Sequence, residues 1–222
     1  YADWQHSKEW KSKIAGQEEY WTGIFSRDIP VLELPYDFNR PDIQSFEGNR
    51  VRFNIDKNQT RALHQLARQE NVTLFMLVLG IFNLLLHKLS GQEDIVVGTA
   101  VSGRGFEALE PVLGMFVNTL PIRNFPSIDK SFYTFLSQVK ESALGAFENQ
   151  EYPFEELVDR VAVTRDMGRN PVFDVMFAYL PYRADDVKDV RQVFLPYGKN
   201  ENITSKFDLT LTVSELESPG QD

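Results

Sequence analysis

The sequence predicts an α/β fold, a mixed β-sheet with helices packed against it, on three observations. Between positions 131 and 147, Phe132, Phe135, Leu136, Val139, Ala143 and Ala146 recur three or four residues apart, which sets them on one face of a helix. The runs FDVMFAYL (173–180) and FDLTLTV (207–213) alternate apolar and polar residues, as half-buried strands do. DIVVGTAV (94–101) is apolar almost throughout, the pattern of a strand covered on both faces. Helices interleaved with strands of such mixed character build a sandwich.

Taken in order, residues 3–25 carry Lys, Glu and Gln between the spaced aromatics Trp4, Trp10, Tyr20 and Trp21, which predicts a surface helix burying one aromatic edge. Pro30, Pro35 and Pro41 then rule out a regular helix over 29–50 and predict an extended crossing. RVRFNID (50–56) reads as a strand. Asp56 caps a following helix that places Ala62, Leu63, Leu66 and Ala67 on one face. VTLFMLVLGIFNLLL (72–86) is a buried core helix, too short to span a bilayer and interrupted by Asn83, and Gly91 marks its stop. Pro153, with Glu155 and Glu156 behind it, opens a short helix. Phe207, Leu209, Leu211 and Val213 share one face of the last strand.

Composition narrows the function. A chain of 222 residues, 42% hydrophobic, can bury a sizeable core as one domain or one lobe of a larger one. Its net charge of -9 repels phosphate, so neither a nucleic acid nor an anionic membrane is the expected partner. Zero cysteines exclude disulfides and thiolate catalysis and suit a cytoplasmic setting. The polar opening YADWQHSKEWKSK lacks the apolar core of a signal peptide, and with no initiator Met the expectation is a piece of a longer polypeptide.

The histidines are His6, His64 and His87, and none begins an H-x-x-x-D arrangement that would orient a base. Metal-ligand spacings, G-x-S-x-G and a phosphate-cradling glycine loop are all absent from the sequence. On residues alone, the chain is a binding and shaping element. One stretch raises a sharper question: in LGMFVNTLPIR (113–123), Asn118 and Thr119 put two polar side chains into an apparent strand of apolar residues.

Four segments, in order, resemble the later signature motifs of the condensation domains of nonribosomal peptide synthetases. YADWQ is similar to the opening of the fourth motif through Tyr1 and Asp3, with Ser7 where the family has Trp. LGMFVNTLPIR resembles the fifth through Gly114, Phe116, Val117, Asn118, Thr119 and Arg123. NQEYPFEELV resembles the sixth through Asn149, Gln150, Tyr152, Pro153, Phe154 and Glu155, with Glu151 in place of Asp. RDMGRNPVFDVMF resembles the seventh through Arg165, Asp166, Arg169, Asn170 and Pro171, with Gly168 in place of Ser. The connecting pieces LPYDFNRPDIQSFEG and SGRG are similar too, so the resemblance spans essentially the whole chain.

The resemblance implies the C-terminal lobe of a domain made of two chloramphenicol-acetyltransferase-like lobes set in a V, lacking the N-terminal lobe and a final strand and helix. The catalytic histidine of the third motif, H-H-x-x-x-D-G, then belongs to the other lobe, so no catalytic residue is expected in this chain and it is expected to be inactive alone. Residues 97–123 would include a floor loop crossing to that lobe. Two phosphopantetheine arms, carried by the upstream and downstream peptidyl carrier domains, would meet in a tunnel there, with an adenylation domain in the same polypeptide. No cofactor is expected to bind the chain directly, and no metal. Ser102, Met115, Asn118 and Thr119 would line the tunnel. Asn118 would donate to the oxygen of the tetrahedral intermediate or to a nearby amide, or else Asn118 and Thr119 satisfy backbone groups where the strand turns into Pro121; both readings stand. Arg165, Asp166 and Arg169 would form an ion-pair cluster behind the tunnel, Tyr152 and Phe154 would anchor the core, and residues 213–219 would latch onto the first lobe. The alternative is a non-catalytic condensation-like module that recruits carrier proteins or partner enzymes.

Overall fold

In a computed structural model, the described residues are 7–105, 107–161, 166–181 and 204–215. Helix α1 (Lys8–Ile24) starts at Ser7, whose side chain accepts a hydrogen bond from the Trp10 amide, and it buries Trp10 and Trp21. An extended crossing leads to α2 (Lys57–Gln69), where Asp56 and Gln59 form a reciprocal capping box. Thr73 caps the core helix α3 (Leu74–Ser90), and Gly91 closes it at a φ of 74°. Then come β1 (Ile95–Val101), a 3₁₀ turn (Glu107–Leu109), β2 (Asn118–Asn124), α4 (Phe132–Glu148), α5 (Phe154–Arg160), β3 (Val175–Pro181) and β4 (Leu209–Glu215).

The strands form one sheet in the order β2-β1-β3-β4. β1 runs antiparallel to β2, from Val101 beside Asn118 to Ile95 beside Asn124, and parallel to β3. β3 and β4 are parallel along their length. Pro121 lacks a backbone donor, and a proline in a sheet is tolerated at an edge, which is where β2 lies among the described strands. β1 sits inside the sheet with Ile95, Val96 and Val97 buried, as its unbroken apolar run requires. Leu79, Phe82 and Leu86 of α3 and Phe135, Val139 and Ala146 of α4 pack with the sheet residues Leu120, Ile122, Val175 and Phe177 in one core. Ala67, Leu77 and Leu136 bind α2 to that layer. Phe207, Leu209, Leu211 and Val213 all pack against the main core, as the alternation predicts.

Two expectations need correction. The run RVRFNID forms no strand: residues 50–55 are extended but carry no sheet pairing, and Val51, Phe53 and Ile55 are exposed. Alternation gives a chain a face, but a strand also needs a neighbouring backbone to complete its hydrogen bonds. On α2, Leu63, Leu66 and Ala67 face the core while Ala62 is exposed. Among the described residues no single helix is long and apolar enough to cross a membrane; α2 and α3 meet that length only together, and they are bent by 103°.

Candidate functional site

β2 begins at Asn118, so this residue starts the strand rather than interrupting it. Its side-chain amide makes four hydrogen bonds, all to main chain. Nδ2 donates to the carbonyls of Gln150 at 2.8 Å and Tyr152 at 2.7 Å, and Oδ1 accepts from the amides of Thr119 at 2.9 Å and Phe154 at 3.2 Å. Asn118 therefore ties the first residue of β2 to the turn that leads into α5. Thr119 sits half-buried beside Ala100 of β1.

The turn that Asn118 grips is itself fixed from several directions. Asn149 caps α4 with its Nδ2 on the Gly145 carbonyl, while its own carbonyl accepts from the Trp21 indole at 2.8 Å. The Glu151 amide donates to Gln17, and Lys13 pairs with the Glu151 carboxylate. Pro153 stands at the N-cap of α5, where a missing N–H costs nothing, and Glu155 and Glu156 occupy the first turn beside the positive end of the helix dipole. Tyr152 is buried, and Phe154 lies 5.5 Å from the ring of Phe173.

Before Asn118 the chain makes a wide loop, 102–117. Several of its apolar side chains are exposed: Leu113 is 98% exposed and Met115 95%, with Val112 and Val117 also exposed. Ser102 is exposed, and its Oγ lies 3.4 Å from the Arg104 amide. Arg104 holds the loop from within. Nη1 donates to the carbonyls of Leu109 and Val112, Nη2 donates to the carbonyl of Gly114 at 3.2 Å, and the guanidinium lies 4.5 Å from the centre of the Phe116 ring. Gly103 has a φ of 63°, and a Cβ there would fall 1.7 Å from the Phe116 carbonyl oxygen, so only glycine fits.

At the far end of β2, Arg123 is buried and all its hydrogen-bond partners are oxygens. Nε and Nη2 grip both oxygens of Asp94 at 2.9 and 2.6 Å, Nη1 donates to the Ile24 carbonyl, and Nη2 donates to the Asp28 carbonyl. This bidentate pair locks the end of α1, the entry to β1 and the exit of β2 together.

At the entry to β3, Arg169 pairs with Asp174 at 2.7 Å and lies 3.8 Å from Asp166, which in turn accepts from the Gly168 amide. Asp174 also accepts from the Asn170 amide, and Asn170 Nδ2 donates to the Lys206 carbonyl, tying this turn to the approach to β4. Burial pushes the Asp174 carboxyl above its ordinary pKa despite the Arg169 guanidinium. Arg40 pairs with Asp208 and donates to the Gly168 carbonyl, so the extended crossing joins the same network. At the end of β3, Tyr179 donates to Glu215, whose other oxygen lies 2.9 Å from His64 Nε2; burial and that carboxylate raise the Tyr179 pKa.

The structure thus brings Asn118, Thr119, Asn149, Gln150, Pro153 and Phe154 together at one end of β2, places Ser102, Gly114, Met115 and Phe116 on the adjoining loop, and sets Asp166, Arg169 and Asn170 in the turn that enters β3. Tyr1, Asp3, Arg165, Phe106 and residues 216–219 lie outside the described residues. Sequence reasoning passed over Arg104, Asp174, Asp94 and Arg40. The glycines flanking Arg104 were the available signal for the first, and the Phe-Asp opening of the strand run for the second.

Comparison with known proteins identifies the family. The model of the Condensation domain family matches residues 1–220. Bacitracin synthase 3 of Bacillus licheniformis is 44% identical over 218 residues, which is 98% of this chain and 3% of that protein. Tyrocidine synthase 3 of Brevibacillus parabrevis is 44% identical over 216 residues, 97% of this chain and 3% of that protein. The chain thus spans a small part of the length of these relatives. Among solved structures, a four-domain nonribosomal peptide synthetase bound to AMP and glycine superposes with a TM-score of 0.75 at 29% identity, covering 82% of this chain and 14% of that one. The X-domain from teicoplanin biosynthesis superposes with a TM-score of 0.71 at 25% identity, covering 79% of this chain and 38% of that one. With a family model that matches nearly its whole length, relatives 44% identical over that span and the same fold in solved synthetases, the chain belongs to the condensation domain family of nonribosomal peptide synthetases.

Proposed function

We propose that this chain is the C-terminal lobe of a condensation domain that forms an amide between two carrier-bound substrates, with loop 102–117 as the floor of the tunnel in which they meet. The acceptor's amine nitrogen attacks the carbonyl carbon of the donor thioester. The tetrahedral intermediate collapses with loss of the C–S bond, the sulfur leaves as a thiol carrying the proton given up by the amine, and the lengthened peptide stays on the acceptor's carrier. The proton transfer falls to the histidine motif of the partner lobe, since the 222 residues contain no H-H-x-x-x-D-G. The phosphopantetheine arms of the upstream and downstream carrier domains bring the substrates, and an adenylation domain of the same polypeptide loads the acceptor.

One observation carries this reading: loop 102–117 is braced from inside by Arg104 yet presents Leu113 and Met115 almost wholly, and Val117 largely, to solvent. A loop held in place with its apolar side chains outward is shaped for a facing surface. Asn118 serves this floor as a clamp, its amide spent on main-chain groups at the loop's exit. Ser102 and Met115 border the passage, and Thr119 supports it from the second rung of β2.

The test compares the complete two-lobe domain with this chain alone, each given two loaded carrier proteins, with the peptidyl thioester followed by mass spectrometry. The complete domain is expected to make product and the chain alone none. Product from the chain alone at the full rate, or none from the complete domain, overturns the proposal. In the latter case a domain that still binds loaded carriers would be a recruiting module.

A further inference from the structure

We propose that Arg104 is a positioning residue for the condensation: its guanidinium sets the shape of the floor loop, and through it the alignment of the two thioesters. The proposal rests on the reading of loop 102–117 as the tunnel floor, and on three carbonyls. Those of Leu109, Val112 and Gly114 converge on one side chain. Converging carbonyl dipoles repel one another unless donors stand between them, and a cation offsets that repulsion most strongly. A planar guanidinium supplies several donors in fixed directions and so can serve all three at once. The hydrogen bonds are charge-assisted and correspondingly strong. The ring of Phe116, 4.5 Å from the guanidinium, covers the same cation from another side.

The geometry leaves little freedom for another arrangement. Gly103 turns the chain at positive φ against the Phe116 carbonyl, which brings residue 104 under the loop. The loop's two ends are joined where Val101 pairs with Asn118, and Asn118 is anchored in turn by the 150–154 backbone. Between those ends the described residues of the loop carry no sheet pairing, and that is where Arg104 reaches. Leu113, Met115 and Val117 therefore project as one fixed array, and the array depends on a residue that does not itself point into the passage.

The complete two-lobe domain, wild type and as Arg104→Gln and Arg104→Lys, tests this. Three readouts are taken: the single-turnover rate of peptidyl thioester formation across carrier concentrations, thermal melting, and cleavage after Glu110 by a glutamate-specific protease. Arg104→Gln is expected to lower the rate at saturating carrier about tenfold to a hundredfold, the scale at which displacement of about 1 Å acts on oriented reactants. The carrier concentration for half-maximal rate and the melting temperature should stay near wild type, and cleavage after Glu110 should accelerate. Arg104→Lys keeps the charge but cannot serve three diverging carbonyls, so its loss is expected to be smaller. An unchanged rate and unchanged cleavage in Arg104→Gln overturn the proposal. So does a loss of activity that follows a fall in melting temperature in both variants. A wild-type domain that makes no product instead overturns the tunnel reading, and the cleavage comparison still decides whether Arg104 holds the loop.

Discussion

Asn118 shows what one side chain does when every atom that can hydrogen-bond is used. Substituting alanine strands the Gln150 and Tyr152 carbonyls and the Thr119 and Phe154 amides in a partly buried place. Unpaired groups of this kind cost about 1–3 kcal/mol. In the complete domain, Asn118→Ala is expected to lower stability by that amount in denaturant titration, with condensation falling in proportion. Asn118→Asp keeps the acceptor and loses both donors, so it should also destabilise. A fully stable Asn118→Ala domain that condenses about a hundredfold more slowly would give the amide a direct part in stabilising the oxyanion. The sequence left the two readings level because the partners are main-chain atoms up to 36 positions away, and main-chain atoms leave no residue type to recognise. Arg104 was missed for the same reason, since the hydrogen-bond partners of its side chain are main-chain carbonyls. Arg123 was legible as a motif residue, but its partner Asp94 was not, because nothing local links the entry of β1 to the exit of β2.

Elements whose pattern answers to their own neighbourhood were read well, and those that depend on a distant partner were not. The helices α2, α3 and α4 carry their caps at Asp56, Thr73 and Ser131, within three residues of the amides they satisfy, so their starts were written locally. β1 and β4 declared their burial through composition and alternation. Residues 50–55 alternate just as well, yet among the described residues no strand lies beside them. The start of β2 was misplaced because residues 115–117, apolar as they are, belong to the loop shaped by Arg104. One close contact within the sheet gives a sharp expectation. A Cβ on Gly98 would come within 2.2 Å of the Phe173 ring, where β1 meets β3, so the ring lies on the bare backbone of a central strand. Gly98→Ala must displace that ring, which also stacks on Phe207 and packs on Phe154. Overpacking of this kind costs about 1–3 kcal/mol. Thermal melting is expected to show the loss, and Phe173→Leu in the same background should recover part of it; a Gly98→Ala domain as stable as wild type would mean the ring has room to move.

On the scale of the whole molecule, apolar groups left outside include two local sets. Leu113, Met115 and Val117 stand on one loop, and Val51, Phe53 and Ile55 on one extended stretch. Exposed apolar area of this size is unusual on a solitary domain and draws copies together. Light scattering on the chain alone is expected to show a mass that rises with concentration, and Leu113→Ser with Met115→Ser should reduce it; a clean monomer at high concentration would count against the loop as an interface. The net charge of -9 opposes such association, so added salt should strengthen it. The topology of the sheet also sets a timetable on the ribosome. β1 and β2 pair through a connection as short as that from Val101 to Asn118, so one edge of β1 is covered soon after it is made. Its other edge waits for β3: the carbonyl that receives the Thr99 hydroxyl belongs to Phe177, 78 residues later. At about 5–20 residues per second, this strand, apolar almost throughout, passes roughly four to sixteen seconds of synthesis with one side open.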